Sequence, residues 1–534
     1  MRNRFWLVML LGGLFFLSAF ARTASAQYHR PDKPMKYWTK AEFQEWERYF
    51  DGHRLSKPTA HRDRKFGLHD GNKIRTLFYN YGSIGRPNTE PSIEWPIYSG
   101  HGYGYEFGPL IGGEVVTIQG DTIGFFSDGM IDGGDVDPSG GENVWGWEPL
   151  PGYANPDQEY IAMTNNPNSW GPLFPKDENG NLVWPGQFGN GVVTADLESY
   201  FVMDDRYNAE FGYFPFPDDS SRRGLGVEVH VRGYQYSAQL AEDVIFFQYE
   251  VHNVSPKRLN KMVFGMMGDP HIGGPGDFSD DYADFDAERN LVYSWDRVGS
   301  SNDYGLPWDQ IGWLGFVFLE SPGNSVDGID NDHDGMVDES RFNGIDDDGD
   351  WQATDAEAKA DTPEEDYTNG IDDDGDGRID DLGDLDGKSD DVGRDGIPNT
   401  FDEGEGNGVP DPGEPDFDFT DLDESDQLGL TSMAAPVYAT VVPAEDDKIW
   451  ELMKPGTFGA ENIQQNADNI FLFGSGYFPM EAGDIQKYSI GIIMGQNKED
   501  LFQNTAVAYL IYRLNFQFTK PPDLPTVTAV PGDH

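Results

Sequence analysis

Residues 321–430 hold 38 Asp and Glu against 5 Lys and Arg, so 33 of the 57 excess negative charges sit in about a fifth of the 534-residue chain. Such a stretch has too little apolar surface to build a core of its own, and its carboxylates repel one another at close range. Something bound must neutralise it, or it stays unfolded. Disulfides cannot supply the missing order, because the chain has no cysteine. A composition break this sharp also marks a separate module and divides the chain into parts.

The acidic stretch repeats itself. "DGIDNDHDGMVDE" starts at Asp327, "NGIDDDGDWQATD" at Asn343 and "NGIDDDGDGRIDD" at Asn369, each with carboxylates two residues apart. These are Asp330, Asp332 and Asp334, then Asp346, Asp348 and Asp350, then Asp372, Asp374 and Asp376. In the first and third repeats a glycine follows (Gly335, Gly377), then an aliphatic residue (Val337, Ile379) and an aspartate (Asp338, Asp380). This is the spacing of an EF-hand-type calcium loop, in which a tight turn aims alternate side chains at one centre and glycine permits the turn. The aliphatic residue is expected to anchor each loop to its neighbour. A fourth loop, "EGEGNGVPDPGE", offers the fullest ligand set: Glu403, Glu405, Asn407, Asp411 and a closing Glu414. Pro410 stands at its anchor position; Arg341 and Gly383 stand where the first and third loops would close; Trp351 replaces the glycine of the second, making it the poorest. An all-oxygen donor set points to several Ca²⁺ ions rather than to a thiolate zinc site, and Mg²⁺ suits it less because it demands a small octahedron. A solvated acidic linker is the plain alternative. Random acidic runs do not keep glycine and aliphatic residues in register, which favours the ions.

The first repeat resembles the D-G-x-D-N-D-C-D-G-x-x-D-E metal-binding repeats of bacterial surface proteins, with His333 in place of the usual cysteine. It is also similar to thrombospondin type 3 and dockerin calcium loops. The wider chain, through "NKIRTLFYNYGSIG", "EPLPGYANPDQEYIAM", "FLESPGNSVDGIDNDHDG" and "GSGYFPMEAGDIQKYSIGIIMG", resembles the N-terminal part of large bacterial cell-surface proteins. Those carry fibronectin type III modules and often a C-terminal type IX secretion sorting domain. The resemblance implies location and architecture, and no reaction.

Outside the acidic block the expected fold is mainly β: an antiparallel β-sandwich interrupted by a loop-rich insertion, with few short helices. Residues 1–26 read as a signal peptide, with Arg2 and Arg4, an apolar run and Ala24-Ser25-Ala26 as cleavage site. A membrane anchor is the alternative, but the run is short, and no later stretch is apolar enough to span a bilayer. Residues 27–73 form a helical, comparatively basic segment, with Thr39 and Glu42 at capping-box spacing. Residues 74–321 form the sandwich with Trp- and Pro-rich loops; "LGVEVHVRGYQYS" alternates through Val227, Val229 and Val231. Residues 322–428 are the insertion. Residues 429–519 complete the sandwich with a hairpin and a helix that Asn497 caps, with Leu501, Ala508, Ile511 and Tyr512 on one side. Residues 520–534 resemble the start of a fibronectin type III-like module.

The acidic balance argues against nucleic acid as a partner. Glycans or other surface proteins are the candidate partners, and the location expected is secreted or at a bacterial cell surface. "LTSMAAP" resembles the serine segment of subtilisin-like proteases, but Leu430 replaces its glycine and no histidine or aspartate segment precedes it. Trp145, Trp147, Trp170 and Trp184 could line a sugar-binding face of a carbohydrate-active enzyme or binding module, or simply pack a loop-rich sandwich. A second acidic cluster, Asp269, Asp277, Asp280, Asp281, Asp284 and Asp286, offers a further calcium site or a solvated turn. The expectation is a calcium-binding surface protein with a structural or adhesive role rather than a catalyst.

Overall fold

The structure is a computed structural model that describes residues 63–135, 145–301, 308, 310–353, 389–394, 396, 400–422, 424–459 and 467–516. In chain order its strands are β1 (Phe66–His69), β2 (Thr76–Tyr79), β3 (Gly104–Val116), β4 (Thr122–Ser127), β5 (Glu148–Pro149), β6 (Ala162–Met163), β7 (Pro185–Gly186), β8 (Gly189–Asn190), β9 (Leu197–Asp204) and β10 (Val227–Gln235). There follow β11 (Val244–Asn253), β12 (Leu259–Pro270), β13 (Asp281–Asp286), β14 (Leu291–Asp296), β15 (Trp313–Glu320), β16 (Ser432–Ala434), β17 (Phe458–Gly459), β18 (Phe471–Met480) and β19 (Ile485–Gly495). Two α-helices, α1 (Asp446–Leu452) and α2 (Lys498–Arg513), lie in the part after the insertion.

The strands form two large sheets. One runs β13-β14-β15-β19-β11-β10-β9-β5, with β6 also on β9; the other runs β17-β16-β18-β12-β3-β4. Every pairing is antiparallel except β16 with β17. The sheets face each other through aromatic side chains: Phe107 meets Phe316 at 4.4 Å between ring centroids, and Phe264 meets Tyr488 at 3.8 Å. These residues belong to one buried apolar cluster, so the fold is an antiparallel sandwich. Val227, Val229 and Val231 on β10 point into it while the residues between them are half-buried, as a period of two requires.

The acidic insertion leaves after β15 and returns before β16, and its ends are clamped together. Leu428 N–H donates to the Pro322 carbonyl at 3.0 Å and Asn324 N–H to the Asp426 carbonyl at 3.0 Å. Closely held ends let a long insertion leave the sheets undisturbed. The chain that follows enters the middle of both sheets: β19 lies between β15 and β11, and β18 beside β12. The sandwich is therefore completed only by residues that come after the insertion.

α2 begins as its cap demands, with the Asn497 side chain accepting from Asp500 N–H at 3.1 Å. Leu501, Ala508, Ile511 and Tyr512 pack on Val244, Phe246, Val317 and Ile493 of the nine-stranded sheet. α1 covers the other sheet through Ile449 and Met453. There Gly265 and Gly474 stand opposite each other in register, and a Cβ on either would meet the Met453 methyl at 2.1 or 2.5 Å. Their missing side chains let the end of α1 settle on the strands.

The Trp- and Pro-rich stretch is ordered by packing. Trp184, Phe174, Tyr200 and Val202 form a buried cluster with Trp170 against it, and Trp184 Nε1 donates to Glu198 at 2.7 Å. Trp147 is 0% exposed and Trp184 2%, so neither presents a ring face to solvent. No helix among the described residues is long and apolar enough to cross a membrane.

Candidate metal centre

The first acidic loop closes around its own aspartates. One oxygen each from Asp330, Asp332 and Asp334 lies within 4.8 Å of the other two. Gly335, at φ 109°, donates its N–H to Asp330 Oδ2 at 3.2 Å, so the glycine makes the turn that its position in the repeat requires. His333 is exposed, with Nδ1 2.9 Å from the Asp330 carbonyl oxygen. Asp338 meets Asp327 and Asp426 in a second group of three carboxylates. Its Oδ1 accepts from Gly328 N–H at 2.9 Å.

Glu339 follows Asp338 at the end of the first repeat. It is 3% exposed, and neither of its carboxylate oxygens has a hydrogen-bond partner outside its own residue. Burial pushes its carboxyl up to about 7, with Asp334, Asp426 and Asp332 adding to the effect. An acid so enclosed must hold a proton or face a cation. The EF-hand register assigns the closing ligand to Arg341, two residues further on, and so misses Glu339. Arg341 turns away to the sandwich, where it pairs with buried Glu320 at the end of β15.

The second loop departs from its expected form. Asp346 Oδ1 accepts from Gly349 N–H at 2.8 Å, and Asp348 Oδ1 from Asp350 N–H at 3.1 Å. Asp350 is pushed up to about 8 by burial and then by Asp416, Asp421, Asp348 and Asp346. Trp351 is no defect: its Nε1 donates to Glu414 Oε2 at 2.9 Å. In the fourth loop Glu403 stands apart, with its side chain 86% exposed and paired with Arg394 at 3.5 Å. Asn407 donates to Asp411 at 2.5 Å, and Glu405 accepts from Phe401 N–H. Glu414 is buried and accepts from Gly393 N–H at 3.0 Å and Asp411 N–H at 3.0 Å as well as from Trp351. Three donors already occupy it, and Glu403 projects into solvent rather than toward the rest of the expected set. The third repeat, with Asp372, Asp374, Asp376 and Asp380, lies outside the described residues. The anchoring role expected of Val337 is corrected too, since that side chain is 53% exposed.

What holds the loops in place is a set of acids from the segment 414–422 and 424–426, of which sequence reasoning singled out only Glu414. Asp418 accepts from Phe342 N–H at 2.6 Å and Glu424 from Asp347 N–H at 2.9 Å. Asp426 accepts from Asn331 N–H at 2.6 Å and Asp338 N–H at 3.1 Å. With Glu414 these acids form a buried spine, one or more for each described repeat, and the backbone N–H groups they accept are ones the irregular loops would otherwise leave unpaired. A signal was present: acids recur at nearly every second residue of "EPDFDFTDLDESD", with Phe417, Phe419 and Leu422 between them. Burial pushes Glu424 of this spine up to about 8 and nearby Asp390, outside it, up to about 7, so charging these enclosed acids is costly and a hard cation would offset that cost.

The second aspartate cluster divides. Asp277 and Asp280 join Asp296, whereas Asp269 joins His271 and Asp468. Asp281 accepts from Ile272 N–H at 2.8 Å, Asp284 from the Tyr293 hydroxyl at 3.0 Å, and Asp286 pairs with Arg289 at 2.6 Å. Ser432 of the "LTSMAAP" segment is buried in β16, and its hydroxyl donates to the Gly474 carbonyl at 3.4 Å.

No family model and no curated protein matches this chain.

Proposed function

We propose that this is an exported, calcium-stabilised β-sandwich protein of the cell surface with a structural or adhesive role. Its acidic insertion takes up several Ca²⁺ ions. One observation carries the reading: Glu339, buried with both oxygens free of neighbours' hydrogen bonds and within the electrostatic reach of Asp334, Asp426 and Asp332, directly follows a loop whose three aspartates already converge. Carboxylates of this kind fit Ca²⁺, which takes six to eight oxygens in a flexible arrangement. Binding to the folded loops and not to the unfolded chain would stabilise them by mass action, the part that disulfides play in other exported proteins. The signal-like segment 1–26 supports export. Burial of Trp147 and Trp184 removes two of the rings that a carbohydrate-binding face would use.

The test is calcium titration of the full chain by calorimetry, beside Glu339→Gln. The wild type is expected to bind ions and the variant to lose at least one. Limited proteolysis with and without chelator is expected to show new cleavage within residues 325–420 when calcium is removed, with the sandwich intact. Equal cleavage in both conditions would overturn the reading, and turnover in a glycan-hydrolysis screen would overturn the structural role.

A further inference from the structure

A second kind of acidic site lies in the sandwich itself, away from the repeats. Asp128 follows β4 and is buried; its Oδ1 accepts from Met130 N–H at 2.6 Å and its Oδ2 from Asp135 N–H at 3.1 Å. The turn so formed presents Asp135. Glu210 comes from the loop between β9 and β10, which Asn208 ties to β4 by donating to the Phe126 carbonyl at 3.2 Å and Ser127 Oγ at 3.0 Å. Asp446 opens α1 and accepts from Phe126 N–H at 3.2 Å through Oδ2.

One oxygen each from Asp135, Glu210 and Asp446 lies within 4.8 Å of the other two. Independently of that proximity, Asp135 Oδ2, Glu210 Oε2 and Asp446 Oδ1 are all buried without a hydrogen-bond partner. Asp135 is 6% and Asp446 5% exposed, and among the described residues none of the three forms an ion pair. Three converging carboxylates, each with a buried oxygen that lacks a partner and with Asp128 behind them, are costly unless something positive sits between them. The geometry points to a divalent cation site, of calcium type, built by Asp135, Glu210 and Asp446.

Its position says what it would do. Asp135 hangs from β4 of the six-stranded sheet, Glu210 from β9 of the nine-stranded sheet, and Asp446 from the chain that returns after the insertion. A bound ion joins three segments far apart in sequence, across both sheets, in a chain without cysteine.

The alternative is a set of protonated carboxyls with no ion, and the two differ in sign. Thermal unfolding of the full chain would be followed in Ca²⁺ and in chelator for the wild type, Asp446→Asn and the less buried Glu210→Gln. With an ion present, removing a negative ligand lowers the midpoint in Ca²⁺ and raises it in chelator, because the repulsion it relieves appears only when the ion is gone. Calorimetry with Ca²⁺ alone should show one ion fewer, or one site weakened at least about tenfold. Variants as stable as the wild type or more so in both conditions, with unchanged stoichiometry, would overturn the proposal. Should Asp446→Asn fail to fold, Glu210→Gln decides it. The insertion is tested separately, since Glu210→Gln should leave the protease pattern of residues 325–420 unchanged.

Discussion

The sandwich and the acidic insertion are built on opposite principles. In the sandwich, strands bury aromatic and aliphatic faces against each other, and backbone groups pair in regular ladders. In the insertion, the described backbone has no regular ladder; many of its N–H groups point at carboxylates, some within each loop and some on the buried acids Glu414, Asp418, Glu424 and Asp426. One region is held by apolar area, the other by acids that serve first as hydrogen-bond acceptors. The comparison teaches that an acidic segment can be organised from within, each loop docking on its own buried acid, before any ion is considered. The proposed ions then answer a narrower question: what neutralises the acids, such as Glu339, that no donor reaches.

The largest effect that can sharpen this contrast is a core truncation. Phe264→Ala removes a fully buried ring packed at a tilt against Tyr488, and is expected to cost about 3–5 kcal/mol in denaturant unfolding. Its effect should be the same with and without calcium. A smaller and local loss is expected from Asp426→Ala, which strips two N–H groups of the first loop of their acceptor, at about 1–3 kcal/mol. Proteolysis should then open the first repeat while the sandwich transition stays in place; loss of both together would break the division between the regions.

The sandwich also contains acids, which offers a comparison by pH. Burial pushes Glu106 from its ordinary 4.5 up to about 8, despite donors from Ser83, Ile131 and Asp132. Because the folded value lies above the unfolded one, its contribution is fullest below about pH 4.5 and is lost as pH rises through 8. Glu106→Gln should flatten the stability profile over that window, measured in chelator to keep ions out of the comparison. The smallest effect belongs to Glu403→Ala: the side chain is exposed and paired only at the surface, so stability should change by less than about 0.5 kcal/mol and calcium stoichiometry not at all. Loss of an ion in that variant would restore the EF-hand register to the fourth loop.

Much of the sandwich was legible residue by residue. The alternation of Val227, Val229 and Val231, the existence of β18 and β19 as strands, and Asn497 capping α2 are local patterns, and local sterics enforce them. The hairpin expected of β18 and β19 does not form, because β18 pairs with β12 and β16 in one sheet and β19 with β11 and β15 in the other. The first loop was legible for the same reason, since Asp330, Asp332, Asp334 and Gly335 are near neighbours. Glu339 was missed because a borrowed register assigned the closing role to Arg341, which the sandwich captures through Glu320. The fourth loop was over-read because spacing says which acids are near in sequence and nothing about which of them face solvent, as Glu403 does.

By itself the sequence determined the strand periodicity, the helix cap, the division by charge and the repeat, all properties of residues a few positions apart. The tertiary structure alone decided that β19 enters between β15 and β11, that Glu414, Asp418, Glu424 and Asp426 become buried acceptors, and that Asp135, Glu210 and Asp446 meet. Those outcomes depend on which distant surfaces exclude water together, and burial of that kind is a property of the assembled sheets that no local pattern carries.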